Sequence, residues 1–229
     1  MKTTHLLVLF FSIAALSISC QKEKSFEGEA YTLRLIFQPS ANGEPLQLNK
    51  EYINLIGEDY TVTSFKFYVS NISLLQELQT PVARKEDGFF LVDAANPASQ
   101  IIEVQLNSNP FNRLMFQIGI DSIYNVSGAQ TGALDPMNGM FWTWNSGYIM
   151  AKMEGTSPQS AIVNNKVEYH IGGFAGVNNV TKHIGLSFPV PPVGALDIRE
   201  GMTSEIFIEA DFDKWWQGIF NLQISVNPA

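Results

Sequence analysis

The chain has 229 residues, of which 14 are Lys or Arg and 22 are Asp or Glu, giving a net charge of −8 with histidine neutral. That balance excludes nucleic acid as a partner, because holding a phosphate backbone needs a basic surface. The one cysteine excludes an internal disulfide, and the length left after a leader suits one sizeable core with no second domain.

Met1-Lys2 opens a short basic region, residues 6–16 form an apolar run too short to span a bilayer with ease, and Ser17-Ile18-Ser19 leads into Cys20. This reads as a lipoprotein signal peptide over residues 1–19, with Cys20 lipidated and residues 20–29 a polar tether. Leu16 stands four residues before Cys20, a relaxed box that resembles those of Bacteroidetes-type lipoproteins. The expectation is a domain over residues 30–229 held to the membrane by lipid, in the cell envelope, as an outer-membrane lipoprotein facing the periplasm or the cell surface.

Period-two alternation then recurs and helical periodicity is scarce. Residues 31–37, 60–69, 101–106, 113–119, 204–212 and 219–225 alternate as half-buried strands do. Asn42-Gly43, Asp87-Gly88, Asn96-Pro97, Asn109-Pro110 and the prolines between 189 and 192 supply turns. The pattern predicts an all-β fold, an antiparallel two-sheet β-sandwich of immunoglobulin-like type. Short helical turns are expected near residues 70–78 and 213–220.

The central segment carries the most chemistry. In Phe141-Trp142-Thr143-Trp144 the two tryptophans share one face if the ribbon is extended, and Asn145-Ser146-Gly147 then turns the chain. Met137, Met140, Met150 and Met153 crowd the same stretch, and thioether and imidazole donors suit cuprous copper better than they suit hard cations. His170, inside Tyr169-His170-Ile171-Gly172-Gly173, is the foremost candidate ligand, with His183 and Met150 behind it. Core tryptophans and a hydrogen-bonded structural histidine are the plainer reading of the same residues. Lys152 and Glu154 flank Met153 and suit a salt bridge rather than an acid–base pair. Glu209, Asp211 and Asp213 could hold calcium, though a row of acids on a solvated strand face is the commoner meaning. Asp121-Ser122-Ile123 resembles a short acceptor pattern for periplasmic O-glycosylation. With no Gly-x-Ser-x-Gly, phosphate loop, dinucleotide fingerprint or zincin helix, nothing positive argues for an enzyme.

Residues 128–148, continuing through Lys152-Met153-Glu154-Gly155 to His170-Ile171-Gly172-Gly173, resemble the MbnP-like copper-binding family of bacterial secreted proteins. The likeness extends upstream through Phe65-Lys66-Phe67-Tyr68-Val69, Val92-Asp93 and Ile118-Gly119-Ile120-Asp121, so it covers most of the chain after Ala30. It implies copper bound as the cuprous ion, Cu(I), with imidazole help. It also implies oxidation of a tryptophan to kynurenine by a di-haem, peroxidase-like partner protein, Trp142 and Trp144 being the residues that occupy the Trp-x-Trp motif. Two departures are visible: relatives often carry histidines where this chain has Gln38 and Phe90. A metal-free cell-surface interaction or ligand-binding module on the same fold is therefore the rival expectation.

Overall fold

The computed structural model describes residues 31–76, 80–85, 88–106, 111–142, 147–188, 203–218 and 220–229. Cys20, the tether and Trp144 lie outside them. The strands are β1 (Tyr31–Ala41), β2 (Glu44–Pro45), β3 (Glu51–Ile53), β4 (Asp59–Gln76), β5 (Thr80–Lys85), β6 (Phe90–Asp93), β7 (Ile101–Leu106) and β8 (Arg113–Ile118), then β9 (Phe141–Trp142), β10 (Gly147–Thr156), β11 (Lys166–Gly172), β12 (Lys182–Ser187) and β13 (Thr203–Asp211). One short helix, α1 (Ser122–Val126), interrupts them.

The strands form two packed sheets, as the alternation predicts. The smaller sheet centres on β1, flanked by β7 and β13, with β2 turning back from its end. Leu33, Leu35 and Phe37 alternate inward from β1 and are essentially fully buried. They meet Phe65, Phe67 and Val69 of β4, Phe116 of β8 and Met153 of β10 in the main core. Burying side chains of this size stabilises by roughly 1.5–3 kcal/mol each relative to exposure.

The larger sheet is built around β4. Lys66 and Phe67 have β10 on one side and β6 on the other, while Val69 has β8 on the first side and β6 on the second. β10 and β8 therefore follow one another along the same edge of β4, with β11 beyond β10 and β12 beyond β8.

Three details differ from the sequence expectations. β13 runs parallel to β1 in an otherwise antiparallel sandwich, with Leu35 opposite Ile206 and Phe37 opposite Ile208. β4 continues as strand to Gln76 instead of turning into helix at Ser70. A register shift within the β4–β8 pairing between Ser70 and Ser73, with Asn71 at φ 52°, falls where the partner on the other edge changes from β6 to β5. Residues 220–229 form no strand. Their backbone donors go elsewhere, since the buried Glu58 carboxylate accepts from the N–H groups of Ile224 (2.8 Å) and Ser225 (2.9 Å). The helical turn expected near 213 is present as a 3-10 turn, Phe212–Trp216, capped by Asp211.

A second, smaller core lies on the outer face of the larger sheet. Tyr68 and Met150 project there because Phe67 and Ala151 project inward, and Ile120, Leu134, Met140 and Tyr148 close over them. Asn125, fully buried, ties this cover down: its amide donates to the carbonyls of Ile120 (3.1 Å) and Asp121 (3.2 Å) and accepts from the Tyr148 N–H (3.1 Å).

Candidate metal centre

Asp93, Lys66, Lys152 and His170 occupy one transverse row on the outer face of the larger sheet, each the cross-strand partner of the next. Two lysines directly opposite one another repel, and the structure compensates on both sides. Lys66 Nζ lies 3.0 Å from Asp93 Oδ2 and donates to the Asn138 carbonyl at 3.3 Å. Lys152, only 8% exposed, donates to the Gly139 carbonyl at 3.1 Å and lies 3.3 Å from Glu154 Oε1. The Lys152–Glu154 salt bridge expected from sequence is thus formed. Both lysines also hold down the 3-10 turn Pro136–Asn138 that leads into the tryptophan ribbon.

Glu154 and Glu168 are partners in the next row. His170 Nε2 lies 2.9 Å from Glu154 Oε1, and Lys166 Nζ lies 2.7 Å from Glu168 Oε1. Burial alone would raise the Glu154 carboxyl, but Lys152, with His170 beside it, outweighs that and holds it below the ordinary carboxylate range. One ligand atom from each of Glu154, Glu168 and His170 falls within 4.8 Å of the other two. Among the described residues this is the group of acid and imidazole side chains whose geometry suits a metal ion.

The ribbon and the double-glycine element meet beside this cluster. A Cβ on Gly172 would lie 2.3 Å from Cη2 and Cζ3 of Trp142, so the indole rests directly on the glycine. His170 and Gly172 are two apart on one strand and share a face. Trp142 therefore sits over the same surface as the imidazole and borders an open groove of about 620 Å³ with Gly172, Phe174 and Val180. Gly173 serves the turn that follows: its φ is +131°, a Cβ would meet the Asn178 carbonyl oxygen at 2.1 Å, and its own carbonyl accepts from the Val180 N–H at 3.1 Å.

The other candidates separate. His183 is exposed on β12, opposite Gln117, which in turn faces Ser70. It shares the outer face with His170 but lies four residues further along β4, about 13 Å by strand rise, too far for one ion. Met150 is buried, and its Sδ accepts from the Ile120 N–H at 3.2 Å, on the β8 side and away from β11. The remaining methionines of the segment scatter: Met140 into the second core, Met153 into the main core and Met137, at 90% exposure, into solvent. Glu209, Asp211 and Asp213 are taken by Ser40 Oγ (2.7 Å), the Asp213 N–H (2.9 Å) and the Asn42 N–H (2.8 Å), respectively, so the acids serve the ends of β1 and β13. Gln38 is exposed on the outer face of the smaller sheet, across the core from His170. Phe90 packs against the main core. Sequence reasoning missed Glu168, although the alternation 152, 154 and 168, 170 on consecutive strands would bring all four side chains to one face once the β10–β11 register is known.

Comparison with known proteins gives a family match and little beyond it. The family model described as MbnP matches residues 30–227. No curated protein matches the chain. A solved structure, MbnP from Methylosinus trichosporium, is 14% identical over 69% of this chain and 71% of that one, with a TM-score of 0.47.

Proposed function

Since the chain belongs to the MbnP family, we propose that it is a non-catalytic copper-handling protein of the cell envelope, anchored by lipid on Cys20, with His170 as the side chain that engages the metal. The family's association with copper supports the metal. The observation that carries the location is the cluster of His170, Glu154 and Glu168 beside Trp142. His170 supplies the imidazole, Glu154 lies 2.9 Å from its Nε2 where it can join it on the ion, and the half-exposed rim of β11 lets the ion come and go. Trp142, resting on Gly172 at the edge of an open groove, is the tryptophan that a di-haem partner would reach. Its conversion to kynurenine would place new polar donors against the same face.

The donor set fits the cuprous ion poorly. Cu(I) favours thioether and thiolate sulfur, whereas the Met150 sulfur is engaged with a backbone N–H and Cys20 belongs to the anchor. One observation favours the rival reading of a metal-free interaction module, namely that Lys152 and Lys166 already neutralise both carboxylates.

A competitive titration with a chromogenic cuprous chelator, run on the wild type, His170→Ala and His183→Ala, separates these readings. The copper reading expects one ion per protein, retained in His183→Ala and lost in His170→Ala. Absence of competition by the wild type, before and after exposure to a di-haem partner, would remove the cuprous ion from the reading, and absence of Cu2+ binding as well would leave the metal-free module.

A further inference from the structure

We propose that Glu154, Glu168 and His170 form a divalent-cation site, selective for oxidised copper, Cu2+, over Zn2+ and over the cuprous ion; this deepens the copper reading above and rests on it. The donor atoms are two carboxylate oxygens and one imidazole nitrogen, a hard-to-borderline set that suits a divalent ion and offers Cu(I) no sulfur. For such sites the order of affinity places Cu2+ above Zn2+.

The geometry is nearly preformed. Ligand atoms bound at about 2.0–2.2 Å to one ion, at angles of about 90–109°, stand roughly 2.8–3.6 Å apart, and these already lie within 4.8 Å of one another. Rotation of two glutamate side chains, each 31% exposed, closes the difference without moving the backbone. The backbone itself is fixed, because Glu154 and Glu168 are register partners and Lys152 and His170 are the next pair.

Both lysines that neutralise the carboxylates can withdraw. Lys152 keeps the Gly139 carbonyl at 3.1 Å if it releases Glu154. Lys166, with 54% of its side chain exposed, can swing into water when it releases Glu168. Lys152 stays buried with the Gly139 carbonyl as its partner, so the ion competes with both lysines for the carboxylates. As a strand β11 pairs only with β10 among the described residues, and the C-terminal segment lies along its other edge through the Glu168 N–H to Pro228 carbonyl bond (2.9 Å), yet the Glu154, Glu168 and His170 side chains remain partly exposed and leave the site open to solvent. Three protein ligands leave further coordination positions for water or an exchanging partner, as in sites that exchange their ion rather than seal it.

The test titrates Cu2+ and Zn2+ separately into the detergent-solubilised full-length protein, following Cu2+ by electron paramagnetic resonance. The variants are Glu168→Gln, Glu154→Gln/Glu168→Gln and His170→Ala, with near-ultraviolet circular dichroism to confirm folding. The expected result is one Cu2+ per protein, superhyperfine coupling to a single nitrogen, and affinity at least about 10-fold weaker in either glutamine variant. Unchanged affinity in both glutamine variants, or coupling to several nitrogens, overturns the site. Zn2+ bound through the cluster with no copper bound in either oxidation state overturns the copper selectivity and, separately, the copper-handling reading. Cuprous binding lost in His170→Ala, with neither divalent ion bound, overturns this inference and leaves the copper-handling reading standing.

Discussion

Gly172 and Glu58 show how much of this protein turns on single side chains. Trp142 occupies the space where a Cβ of residue 172 would project, at 2.3 Å. Gly172→Ala is expected to push the indole off β11 and destabilise by about 1–3 kcal/mol, as overpacking of a close contact does. Red-shifted tryptophan emission with a lowered melting temperature would report it, and an unchanged spectrum would mean that the contact is loose. Glu58 is buried yet ionised: burial raises its carboxyl, but the hydrogen bonds from Ser225, Ile224 and Asn54 together outweigh burial and lower it. A depressed carboxyl contributes stability that is complete above the ordinary carboxylate range and is lost as pH falls through the depressed value. Glu58→Gln should therefore destabilise most at neutral pH, by about 1.5–3 kcal/mol for the charged hydrogen bonds, and the gap to wild type should shrink in acid. Urea denaturation at about pH 7 and about pH 3 measures both ends, and a constant gap would contradict the assignment. Neither role is written in local sequence, because Glu58 meets Ile224 across 166 positions, whereas the double glycine after His170 was visible as a motif without its reason.

At the scale of elements, alternation revealed where strands lie but not how they pair. The parallel pairing of β1 with β13 joins the first and last described strands. Parallel and antiparallel strands with one buried face alternate alike, so nothing local distinguishes them. The bulge at Asn71 has a readable cue only in an asparagine, a residue that tolerates positive φ. Residues 219–225 mislead for a different reason: their alternation is genuine, and Ile224 is fully buried, but Glu58 takes the backbone donors that a ladder would need. The cover over the second core depends on Asn125, whose three hydrogen bonds fix α1 to β10. Asn125→Ala should cost about 2–3 kcal/mol by leaving buried backbone groups unpaired. Hydrogen exchange should then quicken at Tyr148 and Ile149 while the β1–β13 amides stay protected, and uniform acceleration would mean that the cover and the main core unfold as one unit.

The whole molecule separates its packed core from the candidate site by layer. The space between the sheets is filled with aliphatic and aromatic side chains, among them Phe37 against Phe116 edge to face at 5.4 Å. The candidate site lies on the outer face, where the Asp93–Lys66–Lys152–His170 row and the Glu154–Glu168 pair lie beside the second core. The sandwich was legible in the sequence, and so was the motif that makes His170 a candidate ligand. The carboxylates that join His170, and the separation of His183 and Met150 from it, depend on register and emerge only in three dimensions. The central claim is that copper binds at His170, and anomalous scattering at the copper edge from crystals of the copper-loaded protein tests it most directly. The account predicts one strong peak about 2 Å from a ring nitrogen of His170, within reach of Glu154 and Glu168. A peak at His183 or in the interior at Met150, with none at His170, would contradict it.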